Sequence, residues 1–150
     1  MPARNPELEA TNQALADVRK IYAELAARPI ERSCQRVAQC CQFQLTGKIP
    51  HLTKGEALIA ARAVRARGKK SLTSPADGSC PMLDPRTLRC QIYEARPFGC
   101  RTHFCSAAGG PYQRNEVLDL IHRLESIDES LGGDGPKPLP KAITQALAEL

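Results

Sequence analysis

Seven cysteines lie between Cys34 and Cys105 of a 150-residue chain. They run Cys34-x5-Cys40-Cys41 and then Cys80-x9-Cys90-x9-Cys100-x4-Cys105. One or two cysteines would read as small buried apolar residues. Seven of them in about half of the chain need a common reason, and thiolate ligation supplies it. Thiolates suit soft or borderline metals, chiefly zinc, copper(I) and iron in iron–sulfur clusters. The odd count also argues against complete pairing as disulfides within one chain. The expected ligand set is Cys34, Cys40, Cys41, Cys80, Cys90, Cys100 and Cys105, holding zinc or an iron–sulfur cluster.

The spacings constrain the site less than the count does. Zinc modules usually place two ligands about two to four residues apart. Cys100-x4-Cys105 fits that range and Cys34-x5-Cys40 lies just outside it. There is no C-x-x-C, which argues against thioredoxin-like redox chemistry. Neither common ferredoxin spacing occurs. The side chains of Cys40 and Cys41 must diverge, by about 100° on a helix or to opposite faces of a strand. Either two centres share the pair, or one ligand stands beside a packed thiol. Two four-ligand sites would need an eighth group from histidine, carboxylate or water. His103, between Cys100 and Cys105, is the candidate nearest in sequence, with His51 and His122 behind it. A surface or core role is favoured for each of the three.

Two arginines flank the cysteine at position 100. Arg96-Pro97-Phe98-Gly99-Cys100-Arg101 reads as a tight turn presenting a ligand. Arg96 and Arg101 are expected either to hydrogen-bond to sulfur or to pair with a carboxylate beside it. Arg62, Arg65, Arg67, Lys69 and Lys70 form a basic stretch. A solvated helix end is the favoured reading there, because positive charge also suits the macrodipole. Contact with nucleic acid is the alternative. No G-x-S-x-G, H-E-x-x-H or glycine-rich phosphate loop is present.

The elements that must carry these groups are mainly helical. Leu8, Thr11, Leu15, Val18, Tyr22 and Leu25 step by three or four, with Ile21 widening the stripe, so residues 6–28 are predicted to be a helix. Pro29 ends it. Ile30 to Cys41 is a short segment of helical character, and Gly47 to Leu52 reads as a loop. Thr53-Lys54-Gly55-Glu56 matches a capping box opening a helix that runs to about Arg67 and stops at Gly68. Glu56 is better explained by that cap than as a general base. Residues 69–79 are polar and carry turn signals.

Cys80 to Leu83 and Leu88 to Tyr93 pair as a small β-hairpin across Asp84-Pro85-Arg86-Thr87. Residues 111–131 read as an amphipathic helix using Val117, Leu120, Ile121, Leu124, Ile127 and Leu131. A glycine-rich break follows, then a short helix using Ile143, Leu147 and Leu150. The fold class is thus a small, mainly α domain with a loop-rich, cysteine-bearing centre and one short hairpin. It reads as one domain, 1–150, made of an N-terminal helix (1–29), the cysteine region (30–110) and C-terminal helices (111–150).

Composition agrees. With three phenylalanines, three tyrosines and no tryptophan, the core must be built from aliphatic residues, so a cross-linking metal would help it. No run approaches the roughly 20 apolar residues that span a bilayer. The first residues show no signal-peptide pattern, which points to a cytoplasmic, thiol-reducing setting. The net charge of +5 permits an anionic partner without demanding one.

From Cys34 to Cys105 the chain resembles the YkgJ-type cysteine-cluster family of zinc- or iron-chelating domains. The carriers are Cys40-Cys41, GKIPHLTKGE from Gly47 to Glu56, CPMLD from Cys80 to Asp84, and CQIYEARPFGCRTHFC from Cys90 to Cys105. The resemblance implies that the cysteines are the ligands of zinc or iron. The family's first block has the form C-x2-C-x2-C-C, and Val37 stands here where a further cysteine is usual. That implies either an open coordination position or a structural site short of one ligand. A related cluster occurs in flagellin lysine methylases, so an accessory part in protein modification is conceivable. Three functions remain open: a metal-binding protein with a redox or accessory role and room for a protein partner; an iron–sulfur oxidoreductase or subunit of a protein-modifying enzyme; and a structural zinc module contacting nucleic acid or protein.

Overall fold

The computed structural model describes residues 5–28, 49–73, 75–87, 89–102 and 113–150. Among these are five α-helices: α1 (Pro6–Ala27), α2 (Lys54–Ala66), α3 (Phe98–Thr102), α4 (Leu118–Ser130) and α5 (Leu139–Ala148). Strands β1 (His51–Leu52) and β2 (Lys137–Pro138) pair antiparallel, with His51 opposite Pro138 and Leu52 opposite Lys137. The expected mainly helical class is what the chain adopts. No helix among the described residues is long and apolar enough to cross a membrane.

α1 starts where the sequence says it should. The Asn5 side chain accepts from the Glu7 and Leu8 N–H groups, and Pro6 supplies a preset φ at the first helical position. Its buried face is Ala14, Leu15, Val18, Ile21, Tyr22 and Leu25. Leu8, expected in that stripe, is instead 50% exposed. Burial begins only at Ala14, so the first two turns project beyond the core. At the other end, Arg28 donates to the Glu116 carbonyl at 2.7 Å and to Asp119 Oδ2 at 2.5 Å, tying α1 to the start of α4. Arg123 of α4 pairs with Glu24 of α1.

α2 is the central helix, packing against α1, α4 and α5. Every residue from Gly55 to Ala61 is buried, as is Val64. A helix buried on all sides needs small residues where its neighbours come close. A Cβ on Gly55 would stand 2.9 Å from Val18 Cγ2 of α1, so this glycine allows the close approach of the two helices. The N-terminus of α2 is held by two carboxylates. Glu56 closes the capping box with Thr53, and Asp128 of α4 accepts from the Lys54 N–H at 2.7 Å. Asp128 also accepts from the Gly135 N–H at 3.0 Å, so it organises the glycine turn after α4.

Several predicted boundaries shift. His51–Leu52, read as loop, is a strand, extended by a Leu139 N–H bond to the Pro50 carbonyl at 2.9 Å. The long helix expected over 111–131 is α4 alone, preceded by a 3-10 turn at Arg114–Glu116. Val117 separates the two, with φ −128 and ψ 12. Ile143 and Leu147 are buried as expected, but Leu150 lies past the end of α5 and is 42% exposed. The expected hairpin survives in its smallest form. Leu83 and Cys90 make an isolated antiparallel bridge. Asp84 N–H donates to the Arg89 carbonyl at 2.9 Å, and Gln91 N–H to the Met82 carbonyl at 2.8 Å. Its turn is set by Asp84 Oδ1, which accepts from the Arg86 N–H at 2.8 Å. The segment from Ile30 to Cys41 lies outside the described residues.

Candidate metal centre

Cys80, Cys90 and Cys100 fall on three local structures, and all three are thiols. Cys80 opens the turn before the bridge and is buried, at 4% exposure. Its Sγ accepts from the Met82 N–H at 3.4 Å, and its carbonyl accepts from the Leu83 N–H at 3.0 Å. That N–H, from two residues on, fixes the direction of the Cys80 sulfur. Cys90 lies on the bridge itself and is half-buried. Cys100 is half-buried in α3, its N–H bonded to the Pro97 carbonyl at 3.1 Å. Cys34, Cys40, Cys41 and Cys105 lie outside the described residues, as do Val37 and His103. Among the described residues, no three His, Cys, Asp or Glu side chains gather to hold an ion.

The other two histidines stand elsewhere. His51 is exposed on β1, its Nδ1 3.1 Å from the Ile49 carbonyl. His122 is exposed on α4. Of the basic stretch, Arg62 donates to Asn12 at 3.0 Å and Lys69 to Gln91 at 2.7 Å, while Arg65, Arg67 and Lys70 are exposed.

What positions α3, and Cys100 with it, is a buried carboxylate. Glu56 is 2% exposed. Its Oε2 accepts from the Thr53 N–H at 2.8 Å and from the Thr53 hydroxyl at 2.7 Å. Its Oε1 accepts from the Phe98 N–H, the first residue of α3, at 2.7 Å. Burial pushes the Glu56 carboxyl upward in pKa, and these hydrogen bonds and the Arg101 charge oppose that rise. The sequence identified the cap but not the bond to α3.

Arg101 completes the anchoring. Its Nε donates to the Arg96 carbonyl and its Nη2 to the Glu94 carbonyl, both at 2.7 Å. Its guanidinium lies over the Tyr22 ring, 4.0 Å from the centroid. Arg96 folds back likewise, Nε bonding the Tyr93 carbonyl at 2.9 Å and the guanidinium lying 3.8 Å over the Tyr93 ring. These bonds go to main-chain carbonyls rather than to sulfur or a carboxylate. The two arginines therefore brace the turn that carries Cys100.

A concavity lies between α2, α5 and the glycine turn at 132–135. Its charged groups are engaged with one another. Lys54 pairs with Glu149 at 3.5 Å, and Lys137 with Asp134 at 2.9 Å and Gln145 at 3.1 Å. Asp128 there is committed to main-chain donors.

A model of the CxxCxxCC family, described as a putative zinc- or iron-chelating domain, matches residues 33–121. The matched stretch is more than half of the chain and contains all seven cysteines. No curated protein and no solved structure matches it.

Proposed function

This chain belongs to the CxxCxxCC family of zinc- or iron-chelating domains, and we propose that it holds zinc or an iron–sulfur centre through Cys34, Cys40, Cys41, Cys80, Cys90, Cys100 and Cys105. The observation that carries this reading is the setting of Cys80: a buried thiol with a main-chain N–H aimed at its sulfur. Such a sulfur is shielded from solvent and already oriented, which fits a soft or borderline cation. Cys90 and Cys100 stand on pieces braced by the Leu83 bridge and by Glu56, so the cost of ordering these ligands is met by the helical frame. A bound metal would add cross-links between segments far apart in sequence, and its binding energy would count as folding energy.

An iron–sulfur centre would supply electron transfer; zinc would supply a structural cross-link. The same ligands serve either, and an accessory role beside a partner protein is compatible with both. Protein isolated without oxygen and assayed for zinc, iron and acid-labile sulfide is expected to contain one of these metals in stoichiometric amount. Brown protein that bleaches reversibly on reduction supports the redox role, and colourless zinc protein supports the structural one. Cys80→Ser is expected to lower the metal content. Metal-free wild-type protein with an intact fold would overturn the proposal.

A further inference from the structure

Charge is spread unevenly along this chain. Residues 62–91 hold seven basic and two acidic side chains, a surplus that equals the net +5 of all 150 residues. The ion pairs among the described residues, such as Lys54 with Glu149 and Lys137 with Asp134, all fall outside this stretch. Within it, Arg65, Arg67, Lys70, Arg86 and Arg89 are exposed, and no described carboxylate pairs with them. The two acids of the stretch serve their own turns. Asp77 accepts from the Ser79 N–H at 3.0 Å, and Asp84 from the Arg86 N–H at 2.8 Å.

The fold joins the two ends of this stretch. Gly68, at φ +82, turns the chain at the end of α2. Lys69 Nζ then donates to Gln91 Oε1 at 2.7 Å. That bond sets the end of α2, with Arg65, Arg67 and Lys70, against the bridged segment that carries Arg86 and Arg89. The helix macrodipole accounts for cations at the end of α2 and leaves Arg86 and Arg89 unexplained.

The composition of this face selects its partner. A protein interface is built round apolar anchors. The large apolar side chains exposed among the described residues are Leu8, Ile49 and Leu150, all outside the stretch. No phenylalanine, tyrosine or tryptophan occurs in residues 62–91, so bases have no ring to stack on there. A row of phosphates needs neither anchors nor rings. It needs unpaired cations, and arginine's fork suits phosphate oxygens. We propose that this face binds the phosphate backbone of a nucleic-acid duplex without reading its sequence. The inference does not depend on the metal reading above.

The test measures fluorescence anisotropy of labelled DNA and RNA duplexes of about 20 base pairs with the full-length chain. Binding of either duplex is expected, and the tighter one identifies the source of the phosphates. With about four phosphate contacts, affinity should fall about a hundredfold between 50 and 200 mM salt. Arg65→Gln, Arg67→Gln and Arg89→Gln, combined, are expected to weaken binding at least tenfold and to flatten the salt dependence. The combination Arg19→Gln, Arg114→Gln and Lys141→Gln removes the same charge from exposed positions elsewhere and should change affinity less than threefold. Helix content by circular dichroism checks the fold of both. Equal weakening by the two combinations, or no duplex binding by wild type at 50 mM salt, would overturn the proposal. Displacement of the duplex by poly-L-glutamate as readily as by unlabelled duplex would also overturn it, in favour of an acidic polypeptide.

Discussion

The Phe98 N–H donates to Glu56 Oε1 at 2.7 Å, joining residues 42 positions apart. One carboxylate thereby finishes the N-terminus of α2 and starts α3, the helix that carries Cys100. The cap and the turn that carries Cys100 are one hydrogen-bonded unit.

Removing that carboxylate should therefore have two effects. Glu56→Ala leaves the Phe98 and Thr53 N–H groups buried without their acceptor, at a cost of about 2 kcal/mol or more. Urea unfolding should show the loss of stability. Metal retention should fall with it, because Cys100 loses its anchor. An unchanged urea midpoint would show that the unit is not needed.

The same group gives a pH dependence. Burial raises the folded-state pKa of Glu56 above its unfolded value. The folded chain thus binds this proton more tightly than the unfolded chain does. The stabilising term is fully present below the ordinary glutamate range and is lost as pH rises through the raised folded value. The reference is Glu56→Gln, which does not titrate. The stability of wild type relative to this variant is expected to decline from acid toward neutral pH. A difference that stays flat across that range counts against the buried ionisation.

Asp128 and Gly133 should be coupled. A Cβ on Gly133 would collide with the Asp128 carboxylate, which is fixed by the Lys54 and Gly135 N–H groups. Asp128→Ala and Gly133→Ala are each expected to cost about 2 kcal/mol. The double variant should cost clearly less than their sum, since deleting the carboxylate makes room for the new methyl group. A denaturation cycle on the four proteins measures this directly. Strict additivity would contradict the steric account.

Arg101 separates charge from shape. Its planar fork reaches two carbonyls while stacking on Tyr22. Lysine keeps the charge but cannot reproduce that geometry. Arg101→Lys is therefore expected to resemble Arg101→Ala in thermal stability. Full rescue by lysine would mean that charge beside Cys100 is what matters.

Much of the frame was legible because it rests on local rules. The stripe from Leu15 to Leu25 and the Thr53–Glu56 capping box were read from spacing alone, and both are present. Strand β1 was missed because two residues carry no periodicity. Leu8 and Leu150 continued their stripes in sequence but lie beyond the covered part of the core. The cysteines pointed to metal binding by number, and the family match agrees with that class. Their geometry was not legible: the fold places Cys80, Cys90 and Cys100 on a turn, a bridge and a short helix. The bond from Phe98 to Glu56 had no sequence signal, because it depends on where distant segments meet.

The packing of α2 has a practical consequence for anyone dissecting this chain. The family signature ends at residue 121, yet α2 inside it rests on α1, which precedes that stretch, and on α5, which follows it. A fragment trimmed to the signature would strip two walls from its own central helix. Its bared alanines and leucines would invite clumping, and a failure to take up metal would then report a ruined scaffold rather than poor ligands.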